Sequence, residues 1–109
     1  MTDATRVPHT GIRYNVLVIR SFGNQDTELL FEDRFVRKFQ GVARRAKRKL
    51  EAIHAAVRLA DLTIPPSNRL EKLRGDRSDF YSIRVNEHWR VIFRWDEGDA
   101  YDVSVVDYH

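Results

Sequence analysis

The chain contains no cysteine and no long apolar run. Without cysteine there are no disulfides and no thiolate chemistry, which suits a reducing cytoplasm. The longest apolar stretches, such as residues 16–19, are far too short to span a bilayer, and residues 1–10 lack the apolar core of a signal peptide. We therefore expect a cytoplasmic protein that does not enter a membrane.

Several catalytic motifs are missing as well. The sequence has no glycine-rich phosphate loop, no pair of histidines at metal-ligand spacing and no Gly-x-Ser-x-Gly elbow. Its histidines lie far apart, so we expect no metal and no cofactor. His54 falls beside the apolar stripe of a predicted helix, and we interpret it as a structural residue. The other three are His9, His88 and His109.

Size and composition predict one globular domain. With 109 residues, of which 42% are hydrophobic, the chain can build one core but not two. Residues 1–14 are polar and are interrupted by Pro8 and Gly11, so we expect a poorly ordered leader there. Residues 15–109 form the predicted domain.

Charge is distributed unevenly, although the net charge is only +3. From Arg34 to Lys49 there are eight basic residues and no acidic one, whereas residues 96–109 contain five acids and neither lysine nor arginine. A concentrated positive field attracts a polyanion. A basic helix face is, however, about as often only solvated. The charge pattern therefore leaves both interpretations open.

Hydrophobic periodicity predicts a strand followed by two helices. Residues 14–19 are β-branched and apolar, as in a strand, and Asp26 is the candidate N-cap of a short helix through Phe31. The main helix is predicted from apolar residues at separations of 4, 4, 3, 4 and 3, which place them in one buried stripe. That stripe consists of Val42, Ala46, Leu50, Ile53, Val57 and Ala60.

The helical pattern stops at Pro65 and Pro66, because neither proline can continue a helix. Residues 67–75 are predicted to form a connector with room for one helical turn over residues 69–73.

Three strands are predicted to follow. Period-two alternation over residues 81–85, 89–95 and 101–106, with short polar turns between them, indicates an antiparallel meander. Tyr101 is predicted to lie on the apolar face of this sheet. The fold class is therefore α+β with the order β-α-α-β-β-β. A small, mainly antiparallel twisted sheet is covered on one face by two helices, and the first strand joins a sheet edge.

The opposite face of the predicted sheet carries a row of functional side chains. Outward polar rows are normally only solvated. Here, however, guanidinium groups, an aromatic ring, a carboxylate and an imidazole gather in one region, which is a set able to cleave a phosphodiester. Spacing alone leaves both interpretations open. The residues are Arg84, Arg90, Ile92, Arg94, Asp107, Tyr108 and His109.

Three segments resemble the HigB-type toxins, also called plasmid-maintenance killer proteins, of the RelE/ParE superfamily. They are residues 64–77, residues 81–95 with their Trp89-Arg90 pair, and the ending at residues 105–109. The likeness covers about residues 18–109 in the same order. It implies a RelE-like fold and a ribosome-dependent endoribonuclease of messenger RNA. In such toxins the RNA 2′-hydroxyl attacks the adjacent phosphate without a metal.

The resemblance also implies roles for individual residues. Arg90 would stabilise the charge that builds on the phosphate, and Arg74, where the family often has a lysine, would act similarly. Asp107, Tyr108 and His109 would form the terminal set, in which His109 is the leading acid–base candidate and Tyr108 positions or stacks on a base.

Further implications concern Glu71 and the partners. Glu71 stands where some family members have a histidine, which weakens the assignment of that segment to the active site. The implied partners are the ribosome, messenger RNA and a helix-turn-helix antitoxin of the HigA type. Phosphate contacts with RNA would come from Arg44, Arg45, Lys47, Arg48, Lys49 and Arg84.

Two other functions stay open at this point. A ParE-like poison of DNA gyrase would need no catalytic histidine. A non-catalytic module that binds RNA or protein, or a degenerate toxin, would tolerate the loss of Tyr108 and His109.

Overall fold

A computed structural model describes residues 18–108. The predicted leader at residues 1–14, most of the predicted first strand and His109 lie outside the described residues. Within residues 18–108, no helix is both long enough and apolar enough to cross a membrane.

The described residues form two α-helices and a four-stranded antiparallel sheet with the strand order β1-β2-β3-β4. Residues before the first helix form parallel bridges with the last strand, at Ile19 with Ala100 and at Phe22 with Val103. The predicted first strand therefore does join a sheet edge, in its described part. The elements are α1 (Gln25–Phe31), α2 (Ala43–Ala55), β1 (Glu71–Lys72), β2 (Phe80–Arg84), β3 (Trp89–Asp96) and β4 (Asp99–Asp107), with 3₁₀ turns at Arg37–Phe39, Leu59–Thr63, Pro66–Asn68 and Gly75–Arg77.

The core lies between the helices and one face of the sheet. Leu50 and Ile53 of α2 are fully buried, as are Val91 and Phe93 of β3 and Val103 of β4. Burying such side chains contributes about 1.5–3 kcal/mol each. The predicted α+β fold, with two helices covering one sheet face, is confirmed.

The predicted end of the main helix is wrong. α2 ends at Ala55, so Val57, which is 76% exposed, and Ala60 lie outside both the helix and the core. The cause is Asp61, whose carboxylate accepts hydrogen bonds from the amides of Val57 (2.9 Å) and Arg58 (3.0 Å). These bonds lower the pKa of Asp61 and begin a separate 3₁₀ turn.

The predicted N-cap of the short helix is also wrong. Asn24, not Asp26, caps α1, because its side-chain oxygen accepts from both the amide and the hydroxyl of Thr27 at 2.8 Å. Asp26 lies in the first helical turn, where the positive end of the helix dipole stabilises its carboxylate. The carboxylate also pairs with Lys38.

The connector contains a strand where one helical turn was expected. The buried Asn68 donates from its side chain to the carbonyls of Leu62 (3.1 Å) and Ile64 (3.3 Å), and Arg69 takes a left-handed conformation. The chain therefore turns and runs extended as β1, in which Glu71 pairs with Ser82 of β2. The meander accordingly has four strands rather than three.

A bulge changes the face on which Tyr101 lies. Ile92 of β3 lies opposite Ser104 of β4, but Arg94, two residues later, lies opposite Tyr101, three residues earlier on β4. β4 therefore contains one extra residue, near Asp102, which has a positive φ. Tyr101 therefore lies on the outer face, with its ring centroid 5.4 Å from the guanidinium carbon of Arg94. Its predicted place on the apolar face is wrong.

Candidate active site

Arg90 is the centre of the candidate site on the outer sheet face. It lies near the start of β3, opposite Arg84 of β2, and its side chain is only 10% exposed. Its Nη1 donates to a carboxylate oxygen of Glu71 at 2.8 Å, and its guanidinium carbon lies 5.4 Å from the ring centroid of Tyr108. Residues from β1, β3 and the end of the chain therefore meet at one guanidinium group.

Glu71 belongs to the candidate site, and sequence reasoning missed it. The resemblance marks Glu71 only as a departure from the family pattern, whereas in the structure its carboxylate pairs with Arg90. A helical turn over residues 69–73 would have pointed it elsewhere, and a two-residue strand carries no periodic signal. The Glu71 side chain is 55% exposed, so a ligand can reach it.

Two clefts lie on either side of Tyr108. One has a volume of about 520 Å³ and the other about 330 Å³, and Tyr108 lines both. Six cationic side chains and two carboxylates line them, which makes the surface strongly attractive to a polyanion. Among these, sequence reasoning missed Arg69, Lys72 and Arg77. The full lining is Glu71, Lys72, Leu73, Arg74 and Arg77 in the larger cleft, and Arg69, Arg84, Asn86, Glu87 and Arg90 in the smaller one.

The turn between β2 and β3 supports Arg84 and Arg90, which lie opposite each other on these two strands. The Asn86 side-chain oxygen accepts from the amides of His88 and Trp89, both at 2.9 Å. The Asn86 carbonyl in turn accepts from Nε of Arg84 at 3.1 Å. Because the turn is closed by side-chain bonds to its own backbone, Arg84 and Arg90 project from a rigid support.

Asp107 and the backbone of Tyr108 are held against the neighbouring strand. Asp107 pairs with Trp89 across β4 and β3, and the amide of Tyr108 donates to the carbonyl of His88. Tyr108 is 42% exposed, so its ring is accessible to a ligand. The structure thus brings Arg90, Tyr108 and Arg74 together around the clefts and places Asp107 nearby, while His109 lies outside the described residues.

This arrangement suits a single-stranded nucleic acid. An arginine fork matches the two oxygens of a phosphate, and an exposed tyrosine ring offers a surface on which a base can stack. In the part of the chain that the structure describes, there is no group of three or more histidine, aspartate or glutamate side chains that could hold a metal.

The basic helix α2 belongs to a different surface, since none of its residues lines the two clefts. Lys47 donates to the Phe31 carbonyl at 2.9 Å and pairs with Asp33, and Lys49 donates to Asn68 at 2.6 Å. Burial lowers the pKa of Lys49. These two lysines are thus used in tertiary contacts. The remaining predicted RNA ligands of the helix, Arg44, Arg45 and Arg48, are exposed, and their contact with RNA stays a prediction.

His54 is a structural residue, as predicted. Its Nδ1 accepts from the amide of Ile19 at 3.3 Å, and its ring packs edge-on against Phe31 with centroids 5.2 Å apart. Burial lowers the pKa of His54, since the charged ring would be poorly solvated there.

Comparison with known proteins places the chain in a family. A family profile described as "RelE-like toxin of type II toxin-antitoxin system HigB" matches residues 20–109. "Endoribonuclease HigB" of Proteus vulgaris is 34% identical over 96 residues, which cover 84% of this chain and 100% of that protein. "Toxin HigB-1" of Vibrio cholerae is 51% identical over 53 residues, covering 49% of this chain and 56% of that protein, so the match spans little more than half of that relative.

Among solved structures, the "YoeB-YefM complex from Staphylococcus aureus" contains a chain that is similar with a TM-score of 0.53. The sequence identity is 22%, and the match covers 85% of this chain and 97% of that one. At this identity the likeness supports the RelE-like fold alone. The profile match and the full-length relative settle the family: this chain belongs to the RelE-like toxins of the HigB type II toxin–antitoxin systems.

Proposed function

We propose that this toxin is an endoribonuclease that acts in the cytoplasm and cleaves messenger RNA on the ribosome. The observation that carries the proposal is Arg90, held between Glu71 and Tyr108 where two cationic clefts meet. The full-length relative from Proteus vulgaris, which is named an endoribonuclease, supports the same activity.

In the proposed reaction the RNA 2′-oxygen forms a bond with the adjacent phosphorus as the bond from phosphorus to the 5′-oxygen breaks. The products are a 2′,3′-cyclic phosphate and a 5′-hydroxyl. Arg90 donates hydrogen bonds to the phosphate oxygens, on which negative charge grows in the transition state. Arg74, on the rim of the larger cleft, adds positive charge without a direct bond to a protein carboxylate in the described residues.

Two protons must move for this exchange. We assign Glu71 as the acceptor of the 2′-hydroxyl proton, because its carboxylate lies on Arg90 and is open to the cleft. His109, which follows Tyr108, is proposed to supply a proton to the leaving 5′-oxygen. Tyr108 is proposed to stack on a base beside the scissile phosphate, and Asp107 stays a predicted member of the terminal set.

The proposed partners are the ribosome, which presents the messenger RNA, and a helix-turn-helix antitoxin. Membership in a family of toxin–antitoxin toxins supports the antitoxin. The YoeB chain with the similar fold was solved in complex with YefM, which is consistent with such a partner.

The test is cleavage of a defined messenger RNA by the purified toxin, with and without ribosomes, followed by mapping of RNA 5′ ends. We expect cuts inside the reading frame that need ribosomes and leave a 5′-hydroxyl. Arg90→Ala should abolish them. Arg94→Ala is the matched control, because Arg94 lies on the same strand and face but outside both clefts.

Three outcomes would contradict the proposal. Equal cleavage by wild type and Arg90→Ala would place the reaction elsewhere. Cleavage of free RNA at the same rate would remove the role of the ribosome. Growth arrest in cells with intact messages and broken DNA would instead identify a gyrase poison.

A further inference from the structure

A second groove lies on the helical layer, away from the Tyr108 clefts. It has a volume of about 520 Å³ and runs between the end of α1, the loop that follows it and α2. Its apolar lining consists of Leu30, Phe35 and Ala43. Phe35 is 75% exposed, so its ring is accessible to a partner that lies in the groove.

The rim of this groove is mainly basic. Arg44 and Arg48 lie one helical turn apart on α2, and Arg34 lies on the facing loop. Within residues 18–108 none of these three guanidinium groups has an ion-pair partner. Their charge is therefore available to a ligand.

The groove suits a protein segment better than an RNA backbone. Its apolar floor can pack against side chains, which a sugar–phosphate backbone lacks, and the two carboxylates that also line it, Asp33 and Glu51, both lie within ion-pair distance of Lys47. Lys47, which lies between them, is already paired with Asp33 at 2.5 Å. The combination of an apolar floor, an exposed aromatic ring and free arginines matches a segment that carries both apolar side chains and carboxylates.

We infer that this groove, defined by Phe35, Arg44 and Arg48, binds an acidic, amphipathic segment of the antitoxin. The inference rests on the antitoxin partner of the proposed function. An apolar side chain of the segment packs against Phe35, and its carboxylates pair with the arginines. Phe35 lines neither Tyr108 cleft and is not among the predicted RNA ligands, so antitoxin binding can be altered at Phe35 without a change in RNA cleavage.

The test is the affinity between this toxin and the purified full-length antitoxin encoded with it, measured by isothermal titration calorimetry. Phe35→Ala should weaken binding about 30-fold, as expected for an aromatic anchor at the centre of an interface. The double variant Arg44→Glu with Arg48→Glu should weaken it about tenfold at low salt and less at high salt. Both changes are at exposed positions, so the fold is retained.

The matched control is Arg45→Glu. Arg45 is exposed on the same helix but does not line the groove. The affinity of the Arg45→Glu toxin for the antitoxin should therefore stay within about twofold of wild type. If Arg45→Glu and the double variant lose equal antitoxin affinity, the loss comes from the net charge of the toxin rather than from the groove, and the inference is wrong.

The ribosome assay separates this inference from the proposed nuclease. Phe35→Ala should cleave messenger RNA at the wild-type rate. If the double variant loses ribosome binding but keeps its antitoxin affinity, the surface binds RNA and the inference is wrong. If Phe35→Ala instead changes the mass of the free toxin in sedimentation while antitoxin affinity is unchanged, the groove binds a second copy. If the wild-type toxin forms no complex with the antitoxin, the proposed partner and this inference are both wrong, whereas the result of the cleavage assay is unaffected.

Discussion

Replacing Arg90 with lysine separates the shape of the guanidinium group from its charge. Lysine keeps the positive charge but presents a single ammonium group in place of the planar fork. In the structure that fork reaches Glu71 at 2.8 Å and lies against the Tyr108 ring from a side chain that is 10% exposed. In such a sheltered position a point charge does not replace two directed donors.

The expected loss of activity is large. Removing one preorganised donor to a developing oxyanion costs about 2.7–4 kcal/mol, or about 10²–10³ in rate. The expected loss of stability is small, because Glu71 is 55% exposed and regains water when the pair is broken. A pair of this kind contributes about 0.2–1 kcal/mol, which lowers Tm by no more than about 8 °C in a domain of this size.

The assay is the single-turnover rate of cleavage on programmed ribosomes, together with thermal unfolding followed by circular dichroism. Arg94→Lys, on the same strand and face, is the control and should cleave within about threefold of wild type. A rate loss below about threefold in Arg90→Lys would refute the reasoning. So would a fall in Tm large enough to leave that variant unfolded at the assay temperature, since the residue would then be structural.

Three further predictions test other parts of the structure. Glu71→Gln keeps the size of the side chain but removes the proposed proton acceptor, so cleavage should fall by about 10²–10⁴; an unchanged rate would assign the proton to another group. Asn68→Ala leaves the buried carbonyl of Leu62 and the partly buried carbonyl of Ile64 without their donor and should lower the free energy of urea unfolding by about 1–3 kcal/mol, whereas Ser67→Ala, at its exposed neighbour, should have almost no effect. Burial lowers the pKa of His54 in the folded state, so wild-type stability should be complete above the ordinary histidine value of about 6.5 and decline as pH falls below it. His54→Gln should lack this decline, and a parallel decline in both proteins would assign the effect elsewhere.

Local periodicity was enough to predict much of this fold. The alternation of residues 89–95 places Val91 and Phe93 in the core and Arg90 on the outer face, because side chains of a strand alternate whatever the rest of the chain does. Arg84 opposite Arg90 follows from the same alternation once the short turn between the strands is recognised.

Features that depend on distant contacts were not predictable in this way. Glu71 reaches Arg90 only because Asn68 bonds two carbonyls and turns the connector into a strand. α2 ends early because Asp61 caps the backbone beyond it, against a periodicity that continues to residue 60. Tyr101 changes face at a bulge that alternation cannot reveal.

The contact between Glu71 and Arg90 has a consequence for which ligands the toxin can hold. In the free chain, a phosphate must compete with a carboxylate of the same molecule, and an intramolecular partner acts at an effective concentration in the millimolar range or above. Dilute inorganic phosphate or a loose nucleotide therefore gains little from Arg90, whereas an RNA already held in place competes on equal terms. When a phosphate replaces Glu71 as the partner of Arg90, the carboxylate of Glu71 becomes free. One binding event therefore places Arg90 on the phosphate and leaves Glu71 able to accept a proton.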